Sequence, residues 1–362
     1  MTDRTIYTIY GTDACAMTMA LMEKADVASR IPKKDARICM KPNLVVAKPP
    51  ESGATTHTGI LEGVIRYLQD HGFTHIDIIE GSWVGDSTRR AFSVTGYDKL
   101  AKKYGVGLYD LKGDDTRSMP TPAGNFDVCC RALDADYLIN LPVLKGHCQT
   151  VMTCALKNGK GCLPDREKRH FHSMGLMKPI AALSTVLKPD LILVDSICGD
   201  LNFEEGGTPV QTNRMMLGFD PVQMDTYGCR LMGIDPYEVD YIPLAEKYGS
   251  GSMELREEDI VFLNQPKDAR GFPPRSGIVS SLTRNVQQKN ACSACYGSLV
   301  HALYRMQEEG RPFKKNIWIG QGYEGQAIEG IGIGRCCAGA TKNVPGCPPS
   351  AEAIMKLLEE NR

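Results

Sequence analysis

Apolar positions along this chain follow two alternating periods. Ile60, Leu61, Val64, Ile65 and Leu68 fall three or four apart, which is one face of a helix, so Thr58–Asp70 is predicted helical. His71-Gly72 closes it, because glycine readily takes the left-handed turn that ends a helix. Residues 74–80 follow as a strand, and residues 5–10, 135–141 and 191–195 read the same way. A helix over 221–232 opens after Asp220, a good N-cap with Pro221 at the first helical position. Strands alternating with helices predict the α/β class, with mixed or parallel sheets joined by crossover helices.

The alternation stops between Asn264 and Asn290. Gly271-Phe272-Pro273-Pro274-Arg275-Ser276-Gly277 is turn and linker chemistry. Beyond it come a helix over 296–309, a strand over 316–320, a glycine-rich strand or loop over 330–337 and a closing helix over 350–360. A chain of 362 residues exceeds what one hydrophobic core usually organises. The expected division is an α/β domain over 1–264, with room for two lobes, a linker over 265–289 and a smaller C-terminal α/β domain over 290–362.

Composition narrows the function classes. The formal net charge is −1, which gives no global electrostatic case for nucleic acid or an anionic membrane. No run of about 18 apolar residues is present, as a spanning helix would need. The first residues lack the basic-then-apolar profile of a secretory signal. The protein is therefore expected in the cytoplasm, where its 14 cysteines stay reduced. Most of these, such as Cys39 in Ile38-Cys39-Met40, read as small buried hydrophobes.

The C-terminal cysteines read differently. Cys292-Ser293-Ala294-Cys295 is a C-x-x-C ahead of a predicted helix, followed by Cys336-Cys337 and then by Gly346-Cys347-Pro348. Four thiolates, one followed by proline, suit an iron–sulfur cluster, expected as [4Fe–4S] on Cys292, Cys295, Cys336 (or Cys337) and Cys347. Neighbours on a strand point to opposite faces, so one of the adjacent pair is the expected ligand. Gly330-Ile331-Gly332-Ile333-Gly334 lets backbone approach closely, and Gly332 and Gly334 are the expected cofactor contacts, with amides donating to cluster sulfides. Structural zinc, a dithiol redox pair and plain buried thiols compete, although zinc more often takes two short knuckles. The glycine run opens no helix and is a weak dinucleotide fingerprint.

A second polar constellation interrupts apolar sequence in mid-chain. Lys145, His147, Lys157 and Lys160 follow the predicted strand over 135–141, and in open α/β sheets ligands bind beyond the carboxyl ends of strands. Lysines with a histidine and the Gln149 amide suit a carboxylate or phosphate. A solvated loop is the plain alternative. His170 and His172 form an H-x-H of the kind common by chance. His57 precedes a helix, Asp86 reads as a cap for the next one, and Glu204-Glu205 is a turn or a carboxylate facing the lysines.

These runs also carry a resemblance. Lys41-Pro42-Asn43, Leu141-Pro142-Val143-Leu144-Lys145-Gly146-His147 and Ala155-Leu156-Lys157-Asn158-Gly159-Lys160-Gly161 resemble the domain-of-unknown-function 362 family. Pro189-Asp190-Leu191 and Gly218-Phe219-Asp220-Pro221 continue the match, over about residues 5–250. Many members carry iron–sulfur ligands in an added segment, and the tail here is similar to that of a subset of them, which favours Cys336 over Cys337. The repeated C-x-x-C-x-x-C of a ferredoxin insert is absent, which counts against a two-cluster electron wire. A looser similarity links the His and Lys runs to nickel-pincer lactate racemases, whose cofactor sits between two α/β domains; this is a fold-level analogy.

Three functions follow as expectations. The first is an oxidoreductase or electron-transfer protein passing electrons between the cluster and a small anionic substrate or a partner protein, with His147 as proton donor and the lysines as anchors. The second is a non-redox isomerase or lyase in which the cluster is a Lewis acid or a brace. The third is a binding module with structural zinc.

Overall fold

A computed structural model describes residues 3–274 and 277–362. Arg275 and Ser276 of the expected linker lie outside the described residues. The chain forms two compact units, Met1–Glu167 with Met177–Pro274, and Lys168–Leu176 with Arg275–Arg362.

Among the described residues sixteen strands run in chain order: β1 (Ile6–Tyr10), β2 (Ile38–Pro42), β3 (Ile76–Glu80), β4 (Gly107–Asp110), β5 (Thr116–Thr121), β6 (Gly124–Cys129), β7 (Tyr137–Leu141), β8 (Lys145–His147), β9 (Val151–Thr153), β10 (Leu191–Asp200), β11 (Pro209–Gly218), β12 (Ile260–Phe262), β13 (Val286–Gln288), β14 (Ile317–Ile319), β15 (Ile328–Ile333) and β16 (Ala340–Val344). The large unit is built on an eight-stranded sheet in the order β12-β1-β11-β10-β7-β2-β3-β4. Strand β11 pairs antiparallel with both its neighbours, and the other pairings are parallel. The fold is therefore mixed α/β with crossover helices.

The helix Thr58–Asp70 crosses from β2 to β3 and buries Ile60, Leu61, Val64, Ile65 and Leu68. These pack into one core with Ile38 and Met40 of β2, Ile76 and Ile78 of β3, and Ile139 and Leu141 of β7. The helix Pro221–Leu231 opens as its sequence predicts, with Asp220 accepting from the Val222 and Gln223 amides. Ser87, and not Asp86, caps the helix Thr88–Thr95; Asp86 instead receives the Ala47 amide.

The small unit carries a parallel four-stranded sheet, β13-β14-β15-β16, with the helices Ser293–Glu308 and Ala351–Glu359. Within the expected linker, the helix Ile278–Leu282 and β13 are ordered elements. Among the described residues, no helix is long and apolar enough to cross a membrane.

Candidate active site

Strands β2, β3 and β4 step outward to one side of the large sheet, while β7 and β10 lie on the other. The switch point between β2 and β7 is where open α/β sheets bind ligands, beyond the carboxyl ends of the strands. There Lys41 and Asn140 stand in register across the two strands, and Glu80 ends β3. Lys41 Nζ lies 2.9 Å from Glu80 Oε2, with both side chains buried. The Asn158 side chain knits the point together. Its Oδ1 accepts from Lys41 Nζ and Asn43 Nδ2, and its Nδ2 donates to Asn140 Oδ1 at 2.8 Å. A pocket of about 20 Å³ beside Lys41 and Asn140 has room for about one water.

Asn43 leads from this point to the polar run beyond β7. Its Oδ1 accepts from Lys145 Nζ at 2.6 Å, and the carbonyls of Ala54 and Glu204 accept from the same ammonium at 2.5 and 2.7 Å. Three acceptors use all three donors of the lysine. Lys145 is fully buried, and burial pushes its amine down to about 7.

Lys145 begins a short hairpin, β8 with β9, whose turn fixes the protonation of His147. The Gln149 and Thr150 amides both donate to His147 Nδ1, at 3.0 and 3.1 Å. The ring proton must then sit on Nε2, which lies 2.9 Å from Glu204 Oε2. Burial pushes the imidazole down to about 4, so His147 is neutral at neutral pH. Lys157 Nζ meets the same Glu204 oxygen at 2.6 Å. Burial opposes the Glu204 charge, but His147 and Lys157 outweigh it and hold the carboxyl well below the usual range. Lys160, half-buried, acts on His147 through its charge. The structure thus brings Lys145, His147 and Lys157 onto Glu204, with Lys160 alongside.

The loop that presents Glu204 is organised by a second carboxylate. Asp200 accepts from the amides of Asn202, Phe203, Gly207 and Thr208, at 2.6 to 2.8 Å. A side chain at Gly146 would place its Cβ 2.1 Å from the Leu201 carbonyl, so the hairpin and this loop touch through backbone.

One further pair lies beside β10. His57 Nδ1 is 2.7 Å from Asp195 Oδ2, and the His57 amide donates to the same oxygen at 2.8 Å. Burial disfavours the imidazolium, but the fully buried Asp195 carboxylate outweighs that, so the His57 pKa is raised. Lys41, Glu80, Asn43, Asn140, Asn158, Asp195 and Asp200 were not expected from sequence as site residues, and His57 was a weak candidate. Their sequence signals are slight, because apart from Asp200, which binds its own loop, they pair with residues far along the chain.

Burial drives Cys148 and Cys154 well above the ordinary thiol range, so neither is an activated nucleophile.

The cluster expectation is overturned in the small unit. Among the described residues, no group of three or more His, Cys, Asp or Glu side chains is arranged to hold a metal ion. Cys292 stands at the start of the helix Ser293–Glu308, where its sulfur receives Gln321 Nε2, and Cys347 is exposed. Burial, followed by the neighbouring thiols, pushes Cys295 well above its ordinary value. Cys336 is half-buried and Cys337 buried, in the single turn Arg335–Cys337.

The backbone of the glycine run is engaged within its own sheet. The Gly334 amide donates to the Val344 carbonyl, that of Arg335 to Gly346, and that of Cys337 to Gly334. A Cβ at Gly332 would stand 2.6 Å from that of Ala340, so this glycine serves the packing of β15 on β16. His170 and His172 lie on the helix Asp165–Ser173, two apart, where side chains do not face one another. The iron–sulfur cofactor, the iron–sulfur subset, the cluster-binding domain and the structural zinc module therefore fall together. The oxidoreductase and electron-transfer readings rested on that cluster and fall with it.

A family model described as "Domain of unknown function (DUF362)" matches residues 38–230, more than half of the chain and the part that contains the Glu204 site. A thylakoid-associated protein of Synechocystis sp. is 23% identical over 241 residues, which are 65% of this chain and 74% of that protein. The lactate racemase apoprotein of Thermoanaerobacterium thermosaccharolyticum is similar at a TM-score of 0.40 and 14% identity, over 64% of this chain and 58% of that one.

Proposed function

The chain belongs to the domain-of-unknown-function 362 family, and we propose that it is a non-redox enzyme, an isomerase or lyase that moves a proton on a small anionic substrate. The observation that carries this reading is the convergence of His147 and Lys157 on the buried carboxylate of Glu204, with Lys145 bonded to the Glu204 backbone carbonyl. Such an array costs desolvation energy that a purely structural contact seldom justifies. Lys157 and Lys160 anchor the substrate anion and stabilise charge that develops on it. Lys145 ties the three segments together, and His147 holds Glu204 in place through its single tautomer. These side chains supply groups for acid–base chemistry and for stabilising charge.

The test uses the full chain in deuterated water with a panel of 2-hydroxy-, 2-amino- and 3-hydroxycarboxylates. Proton NMR would follow exchange of the hydrogen next to the carboxylate and the appearance of eliminated product. Exchange or elimination with at least one class is expected, with the half-saturating concentration raised about tenfold or more in Lys160→Met, as for a lost charge-assisted contact. Absence of exchange and elimination across the panel would overturn the proposal.

A further inference from the structure

The proton transfer proposed above needs a base, and His147 is poorly placed to be one. Two backbone amides occupy its Nδ1, and its Nε2 faces Glu204. Protonating Nδ1 would strand two buried N–H groups.

His57 has the opposite arrangement. Asp195, 0% exposed, takes one ring nitrogen, while the imidazole side chain is 16% exposed. No hydrogen bond reaches Nε2 from the described residues. The segment that carries the ring is fixed from several sides. Thr56 Oγ1 donates to the Leu141 carbonyl, Tyr97 Oη donates to the Thr56 carbonyl at 2.5 Å, and Thr58 Oγ1 donates to the Thr95 carbonyl. Three residues upstream, the Ala54 carbonyl accepts from Lys145. The Asp195 backbone in turn receives the Leu144 amide, next to Lys145. One rigid strap and one strand thus join the His57–Asp195 pair to the lysine array.

We propose that His57 is the catalytic base of this site, and that Asp195 positions its ring and fixes the proton on Nδ1. This rests on the isomerase or lyase reading. In the step, His57 Nε2 takes the proton from the substrate carbon next to the carboxylate. The C–H electron pair passes into the carboxylate as an enediolate. The imidazolium then returns a proton to that carbon, giving exchange on the original face and isomerisation when the planar enediolate turns its other face to the ring. Alternatively, the electron pair expels a group from the neighbouring carbon, giving elimination. The charged groups acting on the ring are Asp195 and Glu51.

Two measurements on the full chain test this. The first is peptide-mapped carbethoxylation with diethyl pyrocarbonate at pH 8, which labels unprotonated, accessible imidazole nitrogens. His57 should react at least about tenfold faster than His147, because one ring has a free nitrogen and the other does not. The second is the deuterium exchange assay on His57→Gln, where the rate should fall about 100-fold or more at an unchanged half-saturating concentration. In Asp195→Asn the acidic limb of the rate profile should move to lower pH, which a merely structural loss would not do. Exchange by His57→Gln within threefold of the unaltered chain would overturn the assignment, as would labelling no faster than at His147. If His57→Gln stays active while Lys157→Met is inactive, His57 is refuted and the function stands. If no carboxylate turns over at all, the function is refuted and the His57 assignment falls with it.

Discussion

Glu204→Gln separates the charge of the site from its shape. The carboxylate is met by Lys157 at 2.6 Å and His147 at 2.9 Å, and the three side chains are 7%, 6% and 0% exposed. Glutamine keeps the outline and one acceptor but leaves the Lys157 ammonium buried without its counter-charge. Removing one partner of a buried pair costs about 3–5 kcal/mol, and the retained acceptor places this case near 3 kcal/mol. At about 2–4 °C per kcal/mol for a unit of this size, the unfolding midpoint should fall by roughly 6–12 °C. Urea unfolding of the single variants and of Glu204→Gln/Lys157→Met completes a double-mutant cycle. The double variant should recover at least about 1.5 kcal/mol of the summed single losses, because it buries no unpaired charge. Additive single losses, or a loss below about 1 kcal/mol in Glu204→Gln, would refute the buried ion pair.

Three shorter predictions follow. His147 stays unprotonated in the fold down to about pH 4, while in the unfolded chain it protonates below about 6.5, so its contribution is intact above 6.5 and lost as pH falls toward 4. Asp225, pushed up to about 7 by burial, acts with the opposite sign, so the clean observable is a difference. The stability of His147→Gln relative to the unaltered chain should improve by about 3 kcal/mol between pH 7 and pH 4, and a constant difference in urea midpoints would sink the tautomer assignment. At Gly161, an added Cβ would stand 2.2 Å from Glu80 Oε2 and 2.5 Å from Lys41 Nζ. Gly161→Ala should therefore cost about 3 kcal/mol by parting a buried pair, while Gly271→Ala, which meets nothing within 4 Å, serves as control in calorimetry. Cys347 is exposed, so Cys347→Ser should change stability by no more than about 0.5 kcal/mol; a larger loss would mean that this thiol makes a bond absent from the present arrangement.

What the sequence reveals depends on how far apart the interacting residues lie. The helix Thr58–Asp70 was legible to its ends, because its apolar face repeats within a window of 13 residues and a glycine follows. Strand β10 was read only to Asp195, since Ser196, Gly199 and Asp200 look like a strand ending. All ten of its residues are nonetheless buried, and its second half pairs antiparallel with β11. That pairing supplies the backbone partners that local propensity does not count. The lysine–histidine run was visible because charge interrupts an apolar stretch, which is costly unless the charges are paired.

The pairings themselves were out of reach. Glu204 lies 47 residues from Lys157, Asp195 lies 138 from His57, and Asn158 lies 115 from Asn43. A single chain gives no measure of those separations in space. The cysteines mislead for the converse reason. Spacing such as C-x-x-C reports which thiols are neighbours along the chain, but a ligand set requires side chains arranged to hold a metal, and no such group is found among the described residues. Here the amides of the glycine run are taken by Val344, Gly346 and Gly334, and Asn343 Nδ2 donates to the carbonyls of Gly332, Gly334 and Cys337. That hydrogen bonding accounts for the glycines through the packing of β15 on β16. It leaves the buried charges around Glu204 as the feature whose desolvation cost demands a function.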